Sequence, residues 1–264
     1  MDKTDIISMG SLNCRGLSSD PIKRRSIFNE MKKKHDICIL LETHCTKHVE
    51  QFWLSEWGYK GWFASYKSNA RGVSILFKNT FDFRVHEHIG DPEGRYCILD
   101  VSIRGIRFSL VAVYGPNTDD PGFFQTLQEK IEALDNDNII AAGDWNVVID
   151  FNKDTKNYCN KNNKKANNRI VEMMNELDLI DVWRENNIDK QSYTWFGPQK
   201  KMARLDYFLV SSHISHNIKS TKISPGINSD HSRISIEITL TEQEKGRGFW
   251  KFNNSLLGYT LQFY

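Results

Sequence analysis

The chain has 264 residues, 39% of them hydrophobic and 12% aromatic, enough apolar material for a sizeable globular core. Its formal net charge of +2 excludes a generally basic nucleic-acid-coating protein and leaves room only for a local basic face. No stretch is long and apolar enough to span a bilayer. Met1-Asp2-Lys3-Thr4-Asp5 does not lead from a basic region into an apolar run, so neither a membrane segment nor a signal peptide is expected.

In chain order, IISMGSLN (6–13) predicts a strand ending at Asn13. Asp20-Pro21 starts a helix to about residue 34, with Ile22, Ile27, Phe28 and Met31 on its apolar side. DICILLE is a buried strand ending at Glu42, and residues 46–56 read as a helix with Val49, Phe52 and Trp53 inward. Strands follow at 59–65, 72–78, 81–88 and 95–104, the last continuing as a hairpin into IRFSLVAVY (106–114), which ends at Tyr114. A helix over 121–134 leads to a strand at 138–143 and the turn Gly143-Asp144-Trp145-Asn146. The Asn/Lys-rich segment 152–168 reads as a solvated loop, followed by a helix over 169–178 and a helical turn at 180–186. Strands near 193–196, 204–211, 216–224 and 232–240 complete the pattern. Many strands with few helices, partly in hairpin order, predict an α+β sandwich of two packed sheets with outer helices.

The five cysteines, Cys14, Cys38, Cys45, Cys97 and Cys159, are scattered without a C-x-x-C pair and read as reduced thiols of an intracellular protein. His44-Cys45 with His48 has no second ligand pair at suitable spacing, so structural zinc is not expected.

Polar clusters punctuate the strand ends: Asn13, Glu42, Asp144 with Asn146, Arg204-Leu205-Asp206, and Ser229-Asp230-His231. Strand ends are where a rigid sheet can hold loop residues around one centre. Carboxylates, carboxamides and one histidine gathered there suit a hard divalent cation and a phosphate ester. Asp144 and Asn146, two apart on an extended segment, face the same way.

The order of these clusters resembles the exonuclease–endonuclease–phosphatase superfamily. L-N-C-R-G-L, I-L-L-E-T-H, V-Y-G-P-N, G-D-W-N, Y-T-W-F, R-L-D-Y-F-L-V-S and S-D-H-S are similar to the endonuclease domains of non-LTR (LINE-type) retrotransposons over roughly residues 6–240. The resemblance implies a four-layer αββα fold of two mixed sheets flanked by helices, an endonuclease domain at 1–240, and a tail at 241–264 beginning the link to a reverse transcriptase region. It implies an enzyme that nicks one strand of double-stranded DNA, using Mg2+ with Mn2+ as a substitute and no small-molecule cofactor. The freed 3′-hydroxyl would prime reverse transcription by the reverse transcriptase domain of the same polyprotein. The protein would act on chromosomal DNA in the nucleus after synthesis in the cytoplasm.

By the same resemblance Glu42 is the metal ligand and Asp144 the base, with Asn146 orienting water or phosphate. His231 contacts or protonates the phosphate, with Asp230 orienting it. Asp206 fixes geometry or assists the leaving group, an ion pair with Arg204 being the structural alternative. Asn13 orders the Asp144 and metal side. Apart from the resemblance, Tyr114 at its strand end reads as a donor to a phosphate oxygen or the leaving group, with packing as the structural alternative. Arg15 stands where apurinic-site repair enzymes carry an acidic residue, which implies weak preference for abasic sites. DNA contacts are expected from Arg15, Arg71, Lys200, Lys201 and Arg204, with the 196–204 loop reading equally as a groove-entering segment or a solvated hairpin tip. The rivals are a phosphatase or lipid phosphodiesterase of the same superfamily and a non-catalytic binding module on the same scaffold.

Overall fold

The run Ile37-Cys38-Ile39-Leu40-Leu41 shows how the layers are built. Side chains alternate across a strand. Ile37, Ile39 and Leu41 belong to the core between two sheets, while Cys38 and Leu40 join a second core beneath two helices. A strand buried on both faces needs a continuous apolar run. In the computed structural model, which describes residues 6–79, 82–158 and 163–240, this arrangement recurs in the inner strands of both sheets.

The elements are β1 (Ile6–Asn13), α1 (Pro21–Lys34), β2 (Ile37–Leu41), α2 (Glu50–Trp57), β3 (Gly61–Ala64), β4 (Val73–Phe77), β5 (Phe83–Gly90), β6 (Tyr96–Ile103) and β7 (Ile106–Tyr114). Next come α3 (Pro121–Glu132), β8 (Ile139–Asp144), α4 (Phe151–Asp154), β9 (Thr155–Lys156), α5 (Lys164–Glu176), β10 (Leu179–Asp181) and α6 (Val182–Asn186). The last are β11 (Trp195–Phe196), β12 (Met202–Ala203), β13 (Asp206–Ser211), β14 (Ile218–Ser224) and β15 (Arg233–Thr239).

One six-stranded sheet has the order β14-β15-β1-β2-β4-β3, and the other β10-β13-β8-β7-β6-β5. Each contains one parallel pair, β1 with β2 and β7 with β8, joined by α1 and α3. Both crossover helices start alike: Asp20 and Asp120 accept from the third residue beyond, and a proline follows each. Phe28, Met31, Trp53 and Trp57 of α1 and α2 cover the first sheet. Phe124, Leu127 and Ile131 of α3, with Ile170 and Met173 of α5, cover the second. The result is the four-layer αββα sandwich that the resemblance implied. A small third sheet, β11-β12-β9, sits apart from both.

Local details differ from the sequence-based expectation. Ile22 is 81% exposed and Phe52 is 54% exposed, so neither packs inward. The guanidinium of Arg24 lies 5.6 Å from the Phe52 ring centre and shields it instead. The expected loop at 152–168 contains α4, β9 and the first turn of α5. Asp150 caps α4. The start of α5 is capped from outside by Asp119, whose carboxylate accepts from Ala166 N at 2.8 Å. Among the described residues Cys14, Cys38, Cys45 and Cys97 are free thiols, all buried. Cys159 and the 241–264 tail lie outside the described residues. No helix among the described residues is long and apolar enough to cross a membrane.

Candidate active site

β1, β2, β7 and β8 all deliver their C-terminal ends to one edge of the sandwich, where β13 and β15 begin. Asp206 stands directly opposite Asp144 in the β13–β8 register. Gly143 lets β8 close on its other neighbour, β7, at the same level: a Cβ there would lie 1.9 Å from Val113 O, and its φ of 154° suits only glycine. Trp145 then turns inward, stacks on Phe124 with ring centres 6.1 Å apart, and leaves Asp144 and Asn146 at the edge.

Asp144 is the hub. Its Oδ2 accepts from Asn13 Nδ2 at 2.9 Å, its Oδ1 accepts from Asn146 N at 3.0 Å, and His231 Nε2 stands 3.7 Å from Oδ2. His231 Nδ1 is hydrogen-bonded to Asp206 Oδ2 at 2.9 Å. Asn13, Asp144, Asp206 and His231 are all buried. Burial, with Asp206 nearby, pushes the Asp144 carboxyl up to about 7 against the lowering pull of His231 and the hydrogen bonds from Asn13 and Asn146. Burial alone would lower His231, but Asp206 and Asp144 outweigh it and raise the imidazole to about 10, so it stands as a cation. Ser229 ties the ends together, donating to Asn13 O at 2.7 Å and accepting from His231 N at 3.1 Å.

The carboxylate that orients His231 is therefore Asp206, not its sequence neighbour Asp230. Asp230 instead meets the largely exposed Arg15, with Nη1 to Oδ2 at 3.3 Å. Nor does Arg204 pair with Asp206. It is 1% exposed, donates twice to Asp154 at 2.8 Å, reaches Asp181 at 2.6 Å, and lies between the rings of Trp183 and Tyr207. A guanidinium so committed is not available to a DNA phosphate, which corrects the expectation for Arg204. Leu205 and Asp206 are held by Thr194, whose buried Oγ1 accepts from both backbone amides at 2.9 and 3.0 Å. No positional signal in the sequence singled out Thr194 beyond its place in Y-T-W-F.

Glu42, Tyr114, Asn117, Tyr158, Asn163 and Trp195 join these residues around an open cleft of about 580 Å3. Glu42, Arg15, His44, Arg71 and Asn146 all adopt left-handed backbone, with φ between 48° and 59°. Strain of roughly 1 kcal/mol or more per such residue persists only where the surroundings fix it. Here Gly16 N donates to Glu42 O at 2.7 Å and His44 N to Arg71 O at 2.7 Å. Burial, with the Glu42 and Asp144 carboxylates nearby, raises the Tyr114 phenol, which therefore stays protonated as a donor. Lys200 and Lys201 lie on the β11–β12 turn, with Gln199 and Lys200 also left-handed.

A two-sheet sandwich with a carboxylate–imidazole line and an acidic cleft at its strand ends defines a class of phosphodiester-cleaving enzyme. A model of the Endonuclease/Exonuclease/phosphatase family matches residues 10–231, and the chain belongs to that family. It is similar to the "Transposon TX1 uncharacterized 149 kDa protein" of Xenopus laevis, at 28% identity over 258 residues, covering 95% of this chain and 19% of that protein. The chain thus spans about a fifth of the relative's length. Among solved structures it resembles the AP endonuclease LMAP of Leishmania major, with a TM-score of 0.76 and 18% identity over 91% of this chain and 90% of that one. It also resembles the 3′-5′ exonuclease NExo of Neisseria meningitidis, with a TM-score of 0.69 and 19% identity over 89% and 100%.

Proposed function

We propose that this protein is a Mg2+-dependent endonuclease that nicks one strand of duplex DNA and leaves a 3′-hydroxyl to prime reverse transcription of a LINE-type element. The observation that carries the reading is the buried line from Asn13 through Asp144 and His231 to Asp206. Kinship with a transposon protein supports the retrotransposon context, and the AP endonuclease likeness supports the fold in which such a line sits. The reading implies action at chromosomal DNA in the nucleus, with a reverse transcriptase region of the same polyprotein as partner.

The cleft donors fit a hard cation, being carboxylate, carboxamide and phenol oxygens around one partly exposed Glu42. Ligand atoms of Asp144, Asp206 and His231 also lie within 4.8 Å of one another. A protonated imidazole has no lone pair to give, however, and its one charge is already shared between the two carboxylates. Glu42 is therefore the residue that would hold Mg2+ or Mn2+. When bound, the cation neutralises charge on the phosphate and the departing oxygen.

Asp144, raised to about 7, is basic enough to take a proton from water near neutrality. Asn13 and the Asn146 amide fix its two oxygens, so it meets the water in one orientation. Asn146 Nδ2 donates to Gly115 O at 2.9 Å, which leaves the carboxamide oxygen as the end for a water proton. His231, held by Asp206 through Nδ1, offers Nε2–H to a nonbridging oxygen. Tyr114 supplies a neutral donor on the Glu42 side. Arg15, Arg71, Lys200 and Lys201 contribute phosphate contacts along the strand.

The test is supercoiled plasmid incubated with Mg2+, with Mn2+, or with EDTA, and nicks mapped by primer extension. Open-circular product in both metals and none in EDTA is expected. Nicking that persists in EDTA, or hydrolysis confined to inositol phosphates or sphingomyelin, overturns the reading.

A further inference from the structure

On the rim of the cleft beside Tyr114, two arginines crowd together with one solvent-exposed carboxylate between them. Arg71 Nη1 lies 2.7 Å from Glu93 Oε2, and Arg95 Nε lies 4.0 Å from the same atom. Glu93 itself is 63% exposed, whereas the Arg71 and Arg95 side chains are 26% and 18% exposed. Arg71 stacks over Tyr66 with its guanidinium carbon 4.9 Å from the ring centre, and Lys67 approaches the same ring at 5.0 Å. Tight backbone locks the group in place: Gly72 N donates to Gly94 O at 3.0 Å and Tyr114 N to Arg95 O at 2.7 Å. Burial and the neighbouring Arg71 both disfavour the charge on Arg95, and both guanidiniums act on the Tyr114 phenol at the cleft wall.

Half-buried guanidiniums of like charge are costly unless an anion sits between them. An exposed glutamate meets that need weakly, because exposed ion pairs contribute little and exchange with solvent. A DNA phosphate would meet it better, with more acceptor oxygens and the bidentate geometry that arginine favours. We propose that Arg71 and Arg95 form a phosphate-binding subsite for the DNA strand on the Glu42–Tyr114 side of the cleft, with Glu93 as a stand-in anion that the phosphate displaces. This rests on the nuclease reading above and adds Arg95 as a binding residue and Glu93 as a competitor.

The experiment uses the whole chain and a short fluorescein-labelled mixed-sequence duplex in EDTA, with affinity read by anisotropy across a salt series. Arg71→Gln and Arg95→Gln should each weaken binding roughly tenfold and flatten the salt slope by about one phosphate contact. Glu93→Gln should tighten binding roughly threefold, since it removes the competing anion. A methylphosphonate moved along the labelled strand should weaken binding at one position in the wild type and no longer do so in Arg95→Gln.

Unchanged affinity in a folded Arg95→Gln protein, or weaker binding in Glu93→Gln, overturns the subsite alone. If Arg95→Gln does not fold, Glu93→Gln still decides, because a merely structural glutamate would give no gain in affinity. A wild-type chain that binds no duplex overturns the nuclease reading and the subsite together.

Discussion

Asp144 and His231 face each other across 3.7 Å, one expected to take a proton and the other to donate a hydrogen bond. Asp144→Ala and His231→Ala should each lower the nicking rate by on the order of 100-fold or more, with the domain still folded. A folded variant of either kind that nicks at near-normal rate refutes the assignment. Asp206→Asn separates the two roles. It removes the first of the carboxylates that raise His231, so the imidazole pKa should fall from about 10. Histidine proton shifts followed by NMR titration, without metal, measure this directly. An unmoved His231 titration would show that Asp206 is not its partner. At this scale the sequence was partly legible. Asn13, Glu42, Asp144, Asp206 and His231 converge on one edge, and each ends or begins a run of apolar residues. The pairing was not legible, because Asp230 sits next to His231 in the chain while Asp206 reaches it only through the paired ends of β8 and β13.

Among the elements, α1 ends against β1 through His35. Its Nδ1 lies 2.8 Å from Ser8 Oγ, and a Cβ on Gly10 would stand 2.3 Å from the imidazole ring. Burial, with Arg233 and Lys34 nearby, lowers His35 to about 4 from its usual 6.5. The unfolded chain therefore takes up this proton near pH 6.5 and the folded chain only near pH 4. The stabilisation is full above 6.5 and is lost as pH falls through that window, by on the order of 3 kcal/mol at most. Asp144, raised to about 7, contributes a slope of opposite sign over the same window, so the His35 contribution is read as the difference between wild type and His35→Gln in urea unfolding from pH 4 to 7. An unaltered slope in that variant would assign the effect elsewhere. Helix starts were readable when the cap was local, as in both Asp-Pro pairs. The start of α5 was not, since Asp119 caps it from a distant loop and its first turn reads as a solvated Asn/Lys run. Ile22 and Phe52 misled for a related reason: helical spacing marks an apolar face, but only the neighbouring layer decides which positions it covers.

For the whole molecule, Arg204 ties the corner around the small sheet to the β10 edge of a large sheet. It joins Asp154 at the end of α4 to Asp181 before α6, beside the small β11-β12-β9 sheet that carries Trp195 to the cleft. Arg204→Met would leave two buried carboxylates without this partner and should cost roughly 3–5 kcal/mol. Hydrogen exchange should show faster opening of β9 and β12 than of β1 or β7. Uniform loss across all strands would show that the pair supports the global fold rather than this corner. The layered sandwich itself was legible from alternating and continuous apolar runs. Of the small sheet only the strand near 193–196 was legible, because its strands are two residues long and carry too little pattern to mark β9 and β12.

The pairing of β1 with β15 has a further consequence, for synthesis. Ile6 lies opposite Thr239, so β1 waits for the much later β15 before one of its edges is covered. His231 arrives only just ahead of β15. Contacts so far apart in sequence form late. A nascent or prematurely released chain that stops short of residue 231 would carry Asn13, Glu42 and Asp144 but not His231, and so no imidazole partner for Asp206. Cleavage competence would then arise in a single late event, so incomplete translation products would be unable to cut DNA.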